Sequence, residues 1–344
     1  MEIFLTEARM EFRKKMTIKQ NISIICAPFG IGGPNNAAKD GPKALLSNGL
    51  GNDLKELGFN IKIVKPPKSL IALNSKKLEY GTKKGDRIKN IELVLQINEW
   101  LSETVANEIK SKYLPLTIGG DHSLGIGTVT GTRDALRDIG VLWIDRHFDA
   151  HSPKYTPSMR AHGMPTAVLT QDKNYDLHPD FQKLLATGQN KKLPKVKPQN
   201  FVHFAIGEKS LAKPKTKWYF MEDIDKYGIN RVTDEAISYL LKRVKYIYVA
   251  WDIDSMNVTG TGTSGDSQLT LREGLVIARA INKKIRQVGR LAGLEIMEIA
   301  PRLERKDLKG QTVDWATQLV TTCFGDNLFN NLSRMTRNIN MHAQ

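Results

Sequence analysis

The chain has 344 residues, 40% hydrophobic and 25% charged, the balance of a folded protein with a sizeable buried core. No apolar run is long enough to span a bilayer, and two distant cysteines, Cys26 and Cys323, make neither a disulfide framework nor a zinc knuckle. The net charge of +15 is spread along the whole chain without arginines interleaved with aromatics, which argues for a solvated lysine-rich surface and against a nucleic-acid partner. The first twenty residues lack the basic-then-apolar order of a secretory signal, so the expected compartment is a reducing cytoplasm.

Residues 1–20 are predicted as a polar extension, 21–325 as one α/β domain and 326–344 as a polar tail. Ser23 to Ala27 is the first strand candidate. It leads into Pro28 to Asn36, a loop whose glycine spacing matches neither a dinucleotide fingerprint nor a phosphate loop. Gly41-Pro42 opens a helix running to Leu46, and a second helix ends at Leu57. Asn60 to Val64 is the second strand, followed by a charged connection from Lys65 to Gly85. Apolar residues from Ile91 to Tyr113 make a helical stripe that leads into the strand Leu116-Thr117-Ile118 and then Gly119-Gly120-Asp121-His122-Ser123. A helix from Gly125 to Arg137 connects to the strand Ile139 to Ile144.

Beyond it lie a long loop at 151–165 and a Lys/Pro-rich connection at 190–199. Val202 to Ile206 reads as a strand, Thr233 to Lys242 as a helix and Ile247 to Trp251 as a strand. Thr270 and Glu273 form a capping box that opens the next helix. Leu291 to Ile299 is a strand carrying Glu295 and Glu298, and Thr312 to Phe324 closes the domain as a helix. Strands alternating with helices predict a three-layer α/β/α fold around a mainly parallel sheet.

One stretch, Trp143 to Pro153, organises the rest. It places Asp145, His147, Asp149 and His151 at strict alternation after an apolar strand, so the four polar groups emerge on one face. The same arrangement recurs where Leu116 to Ile118 runs into Asp121 and His122, and where Tyr246 to Trp251 runs into Asp252 and Asp254. Three hydrophobic strands ending in hard ligands point to a metal site at the carboxyl edge of a parallel sheet.

GGDHS at 119–123, DRHFD at 145–149, HGMP at 162–165, DID at 252–254, TGT at 261–263 with LTLREG behind it, and LEIMEIAP at 294–301 together resemble the arginase or ureohydrolase family. APFGIGG near the start extends the resemblance, which runs from about Ile22 to Gly325. It implies an arginase-like fold and a binuclear manganese centre, two Mn2+ per subunit. His122, Asp145, Asp149 and Asp252 would hold one ion, and His147, Asp145, Asp252 and Asp254 the other, with Asp145 and Asp252 bridging. Carboxylate and imidazole ligands without thiolate suit manganese, while zinc, cobalt, nickel and iron stay open on ligand type.

Two such ions can bring the pKa of a shared water into the neutral range. The expected roles are Asp149 aiming that water, Glu298 pairing with a guanidinium cation, and His162 shuttling a proton to the leaving amine. Glu295 competes with Glu298 for its role, and Thr263 is expected to line the pocket. The resemblance also implies a homo-oligomer, a trimer or hexamer.

Around the rest of the substrate the chain departs from the family's pattern. Ser158 is kept, but His151 and Arg160 occupy asparagine positions, and only Glu208 could meet an α-ammonium. Arg146 stands inside the central motif where a small residue is customary. The leading expectation is an enzyme hydrolysing L-arginine to L-ornithine and urea. A guanidinobutyrate-type ureohydrolase, an agmatinase, a formimidoylglutamase and a catalytically weak metal-binding relative are the alternatives. His178, His203 and His342 belong to no motif and are expected to be structural or surface residues.

Overall fold

The computed structural model describes residues 21–75, 88–171, 178–192, 194–208, 214–263, 265 and 268–326. The extension, the end of the charged connection after strand two and the tail after Asp326 lie outside the described residues. Eight strands form one sheet: β1 Asn21–Ala27, β2 Asn60–Val64, β3 Tyr113–Gly119, β4 Ile139–Ile144, β5 Phe201–Ile206, β6 Lys217–Phe220, β7 Tyr246–Asp252 and β8 Leu291–Met297. Their order is β2-β1-β3-β8-β7-β4-β5-β6, and every pairing is parallel.

The strand sequences explain this layering. Every residue of β4, β5 and β8 is buried, as in parallel strands covered on both sides. The twofold alternation then sorts side chains between two cores. Leu142, Ile144, Val249 and Trp251 pack with Ile237, Leu240, Ile277 and Leu319 of the helices on one face. Val141, Trp143, Tyr248 and Ala250 face the other way. That second side is covered by the helices Ile91–Lys110, Gly125–Leu136, Pro165–Thr170 and Pro179–Leu185, through Leu101, Ile126, Val168 and Phe181 among others. The Thr270 capping box is formed as expected, with Glu273 N–H donating to the threonine hydroxyl and Thr270 N–H to Glu273 Oε2.

Three boundaries differ from expectation, each for a local reason, and some short elements were not expected. The apolar stripe predicted to reach Tyr113 stops as a helix at Lys110, because Lys112 turns left-handed (φ 66) and Tyr113 enters β3. β8 ends at Met297 and not at Ile299, so Glu298, also left-handed (φ 62), lies beyond the sheet. The helix predicted from Thr233 begins at Ile229, just after the positive-φ Gly228. β6 was not predicted: four residues at a sheet edge are too few for alternation to be read. The short helices Pro165–Thr170 and Pro179–Leu185 escape for the same reason, although a proline starts each.

What matters for function is the middle of the sheet. β3, β8, β7 and β4 are consecutive neighbours, and their carboxyl ends carry all the candidate ligands.

Candidate metal centre

Each ligand-bearing strand leaves the sheet through the same small turn, in which an aspartate carboxylate accepts the N–H two residues on. Asp121 accepts from Ser123 N at 3.0 Å, Asp145 from His147 N at 2.7 Å and Asp252 from Asp254 N at 2.8 Å. The glycine pair before Asp121 serves packing. A Cβ on Gly120 would lie 1.6 Å from the carbonyl oxygen of Phe29, and one on Gly119 1.9 Å from Met297 Sδ. The Gly120 carbonyl also accepts from Glu298 N at 2.7 Å. Gly120→Ala should therefore lower stability by about 3 kcal/mol, the upper range for overpacking, because backbone has to move. Denaturant unfolding of the variant checks this.

The turns bring the three clusters together. His122 Nδ1 lies 3.0 Å from Asp145 Oδ2, 3.0 Å from Asp252 Oδ2 and 3.4 Å from Asp149 Oδ2. His147 Nδ1 lies 3.0 Å from Asp254 Oδ2 and 3.3 Å from Asp145 Oδ1. Two groups of metal-competent atoms result, His122/Asp145/Asp149 and Asp145/His147/Asp254, and Asp145 belongs to both with one oxygen on each side. Asp252 adds its Oδ2 to the first group.

The residues fit cations better than they fit one another. One imidazole nitrogen bears at most one proton, yet His122 Nδ1 faces three carboxylate oxygens. Asp254 Oδ1 is buried with no hydrogen-bond partner. Burial, then the charge of neighbouring aspartates, pushes Asp149 and Asp252 well above the usual carboxylate range, with Asp145 a neighbour of both. Burial also opposes the charged forms of Asp145, His122 and His147. The hydrogen bonds and charges among these three and their partners outweigh it, holding Asp145 low and both histidines high. A buried basin of four aspartates and two histidines in this state is short of positive charge, which divalent cations supply.

Above the ligands opens a pocket of about 170 Å³, lined by His147, Asp149, His151, Ser158, His162, Glu208 and Thr263 among others. Asp149 holds a left-handed backbone (φ 47) there, a conformation that clusters at functional sites. Thr263 donates to Asp254 Oδ2 at 2.6 Å. Glu298 is buried, accepts from His122 N at 2.9 Å and reaches within 4.0 Å of His162 Nδ1. Burial, then Asp252 and Asp121, raises its pKa well above normal. Burial, then His147 and Arg160, drops His162 to about 3, so that imidazole is neutral at physiological pH. His151 is half-buried with Nδ1 unpartnered. Arg160 turns elsewhere: its Nη1 donates to Gly33 O at 2.5 Å, which ties the 151–165 loop to the loop after β1.

Glu295, the rival of Glu298, stands on the opposite side of His122. It accepts from Thr128 Oγ1 at 2.5 Å and from Tyr248 OH at 2.9 Å. Its Oε1 lies 3.8 Å from His122 Nε2, and neither atom has a hydrogen-bond partner. That places it as a carboxylate behind a candidate ligand histidine.

Two supports were not anticipated. Trp143 stacks on His122 with ring centroids 3.9 Å apart, and its Nε1 donates to Asp145 Oδ2 at 3.0 Å. Trp143 and Asp145 are two apart across the end of β4, a same-face signal available from the letters.

The second is a clamp on Phe148, the residue between His147 and Asp149. Its N–H donates to Glu208 Oε1 at 3.0 Å and its carbonyl lies 3.0 Å from His203 Nε2. Its ring packs edge-on against His203, Trp218 and Phe220. A bulge in β5 at the left-handed Ala205 (φ 67) accompanies this, and Ile206 joins Phe148 and Ala150 in the cluster. Half of the clamp comes from β6, so nothing near the DRHFD motif announces it.

The arginase family model matches residues 20–325. An arginase of Schizosaccharomyces pombe is 31% identical over 316 residues, covering 89% of this chain and 93% of that protein. Arginase-1 of Homo sapiens is 32% identical over 317 residues, covering 89% and 93%. The solved arginase of Bacillus caldovelox superposes with a TM-score of 0.77 at 28% identity, covering 90% of this chain and 99% of that one.

Proposed function

The chain belongs to the arginase family, and from that premise we propose that it is a manganese-dependent ureohydrolase converting L-arginine to L-ornithine and urea. The observation that carries this reading is the pair of ligand groups sharing Asp145 beneath a pocket lined by His162, with the buried Glu298 4.0 Å from that histidine. In it, His122, Asp145, Asp149 and Asp252 would hold one ion, and His147, Asp145, Asp252 and Asp254 the other. The chemistry that two such ions supply is Lewis-acid activation of water at neutral pH.

The protein's own groups do the rest. A guanidinium carbon is resonance-stabilised and a poor electrophile, so position decides the rate. The buried Glu298 carboxylate, surrounded by other acids, gains most when a planar cation arrives to pair with it. Asp149 accepts a hydrogen bond from the attacking water and aims it at that carbon. As the carbon–oxygen bond forms, the bond from carbon to the alkyl-bearing nitrogen breaks. His162, neutral at the start, accepts the proton released and passes it to the leaving amine.

One observation favours a second reading, a guanidino acid lacking the α-amine. Glu208, the candidate for an α-ammonium, already has Oε1 on Phe148 N–H, while His151 and Ser158 offer neutral groups suited to a carboxylate. Urea release with manganese from arginine, 4-guanidinobutyrate and agmatine separates the two. Arginine should show the highest kcat/KM, and the highest value for 4-guanidinobutyrate would favour the guanidino acid. Metal-induced thermal stabilisation without urea from any substrate would reject both.

A further inference from the structure

A large cavity lies at the opposite end of the sheet from the ligand cluster. It has a volume of about 820 Å³, against about 170 Å³ above the metal centre. Its walls come from the starts of β4 and β5, from the ends of the helices Gly125–Leu136 and Ile229–Leu241, and from the Lys/Pro-rich connection. Six cations face it: Arg133, Arg137, Lys192, Lys195, Lys197 and Arg243. The one carboxylate in the lining, Asp138, already accepts from Lys245 N at 3.0 Å.

Most of this charge has no ion-pair partner among the described residues. Among the described residues no carboxylate pairs with Arg137, Lys192, Lys195, Lys197 or Arg243; only Arg133 has one, Asp134 at 3.4 Å. The two helix ends attract cations, but each offers about half a negative charge, far less than the basin holds. Arg137 directly follows the first of those ends and Arg243 lies two residues beyond the second; the three lysines come from the connection and have no such reason to gather.

The wall is also built in advance. Lys195, almost fully buried, donates from Nζ to Thr187 O at 2.8 Å and Asn190 O at 2.6 Å. Asp134 Oδ2 pins the same turn by accepting from Gln189 N and Asn190 N. Arg243 lies 3.7 Å over the Tyr239 ring with Nη1 on Tyr239 O. Burial lowers the Lys195 ammonium to about 8, against the opposing charges of Asp134 and Glu99. The amides of Asn190, Gln199 and Asn200 complete a polar lining in a volume typical of small-molecule sites.

We propose that this cavity binds a small polyanion, a metabolite-sized molecule carrying two or more phosphate groups. A concave site with fixed cations suits charge concentrated on a small molecule better than an extended strand of phosphates.

The test uses the manganese-loaded full chain and a trisulfonated hydroxypyrene dye, a trianion that does not strip divalent ions. Fluorescence anisotropy at constant ionic strength reads its binding, and a hexose bisphosphate is the competitor. The double variant Lys192→Glu/Lys197→Glu alters two exposed walls of the cavity, and Lys55→Glu/Lys283→Glu makes the same charge change elsewhere. The dye should bind the native chain and be displaced by the bisphosphate. The cavity variant should bind it about tenfold more weakly, as for loss of one charge-assisted hydrogen bond or more, and the control should match the native chain within about twofold.

Absent binding, equal loss in both variants, or retention by the cavity variant would each overturn the proposal. So would displacement by a short single-stranded oligonucleotide at lower concentration than by the bisphosphate.

Discussion

Asp145→Asn should leave a folded protein that no longer binds manganese tightly at either position and turns over roughly 10⁴-fold more slowly, the scale seen when one member of a concerted catalytic unit is removed. Asparagine keeps the shape, and its carbonyl can still accept the His147 N–H that Asp145 Oδ1 now holds at 2.7 Å. The other oxygen is different. Oδ2 accepts from Trp143 Nε1 and faces His122 Nδ1, both at 3.0 Å, so an amide nitrogen there presents hydrogens where a lone pair is required.

Because one carboxylate belongs to both ligand groups, one substitution strikes both. The native chain in manganese at a hundred times its Kd should gain about 2.7 kcal/mol of stability, and the variant almost none. Asp254→Asn touches one group only and should keep one ion per chain. Elemental analysis after dialysis, alongside thermal melts with and without manganese, reads both effects. Two ions per chain retained by Asp145→Asn would remove Asp145 from its shared role.

The fold and the grouping of the candidate ligands were legible in the letters for the same reason. Fully buried parallel strands need unbroken apolar runs, and the hard ligands stand out where each run stops. Asp145, His147, Asp149, Asp252 and Asp254 could be placed together from alternation and from the rule that such sheets bind at their carboxyl ends.

What could not be read depends on direction and on distant partners. Glu295 and Glu298 lie three residues apart, and their roles separate only because the strand stops at Met297 and the left-handed backbone of Glu298 itself takes it off the sheet, to His122 N–H and within 4.0 Å of His162. Arg160, at an asparagine position of the family, is taken up by a carbonyl of the loop after β1, a partner far away in sequence. His203 carries no motif, since its function lies in the backbone of Phe148, fifty-five residues earlier in the chain.

His203 gives the second large effect, one with a definite pH sign. Nε2 lies 3.0 Å from the Phe148 carbonyl and Nδ1 2.9 Å from Thr216 Oγ1, so the consistent arrangement has Nε2–H donating and Nδ1 accepting from the threonine. That arrangement requires a neutral ring, and burial holds its pKa down to about 3 from the ordinary 6.5. The folded chain therefore refuses a proton that the unfolded chain accepts below 6.5. The stability contributed is complete above that value and drains away as the pH falls toward 3.

His203→Gln can still donate to the Phe148 carbonyl and has no proton to gain. It should flatten the loss of stability between neutral and mildly acidic pH while holding manganese nearly as the native chain does. His203→Leu leaves the Phe148 carbonyl without this donor and the Thr216 hydroxyl, which still accepts from Trp218 Nε1 at 2.8 Å, without an acceptor for its proton, costing about 1–3 kcal/mol at neutral pH. By freeing the backbone between His147 and Asp149 it should also weaken manganese binding roughly 10- to 100-fold, as loss of a supporting contact behind metal ligands typically does. Equilibrium dialysis separates this from a purely structural role, in which the melting point falls but the affinity of the folded fraction stays put. Unchanged manganese affinity in the leucine variant would mean that Phe148 is held by its ring and by Glu208 alone.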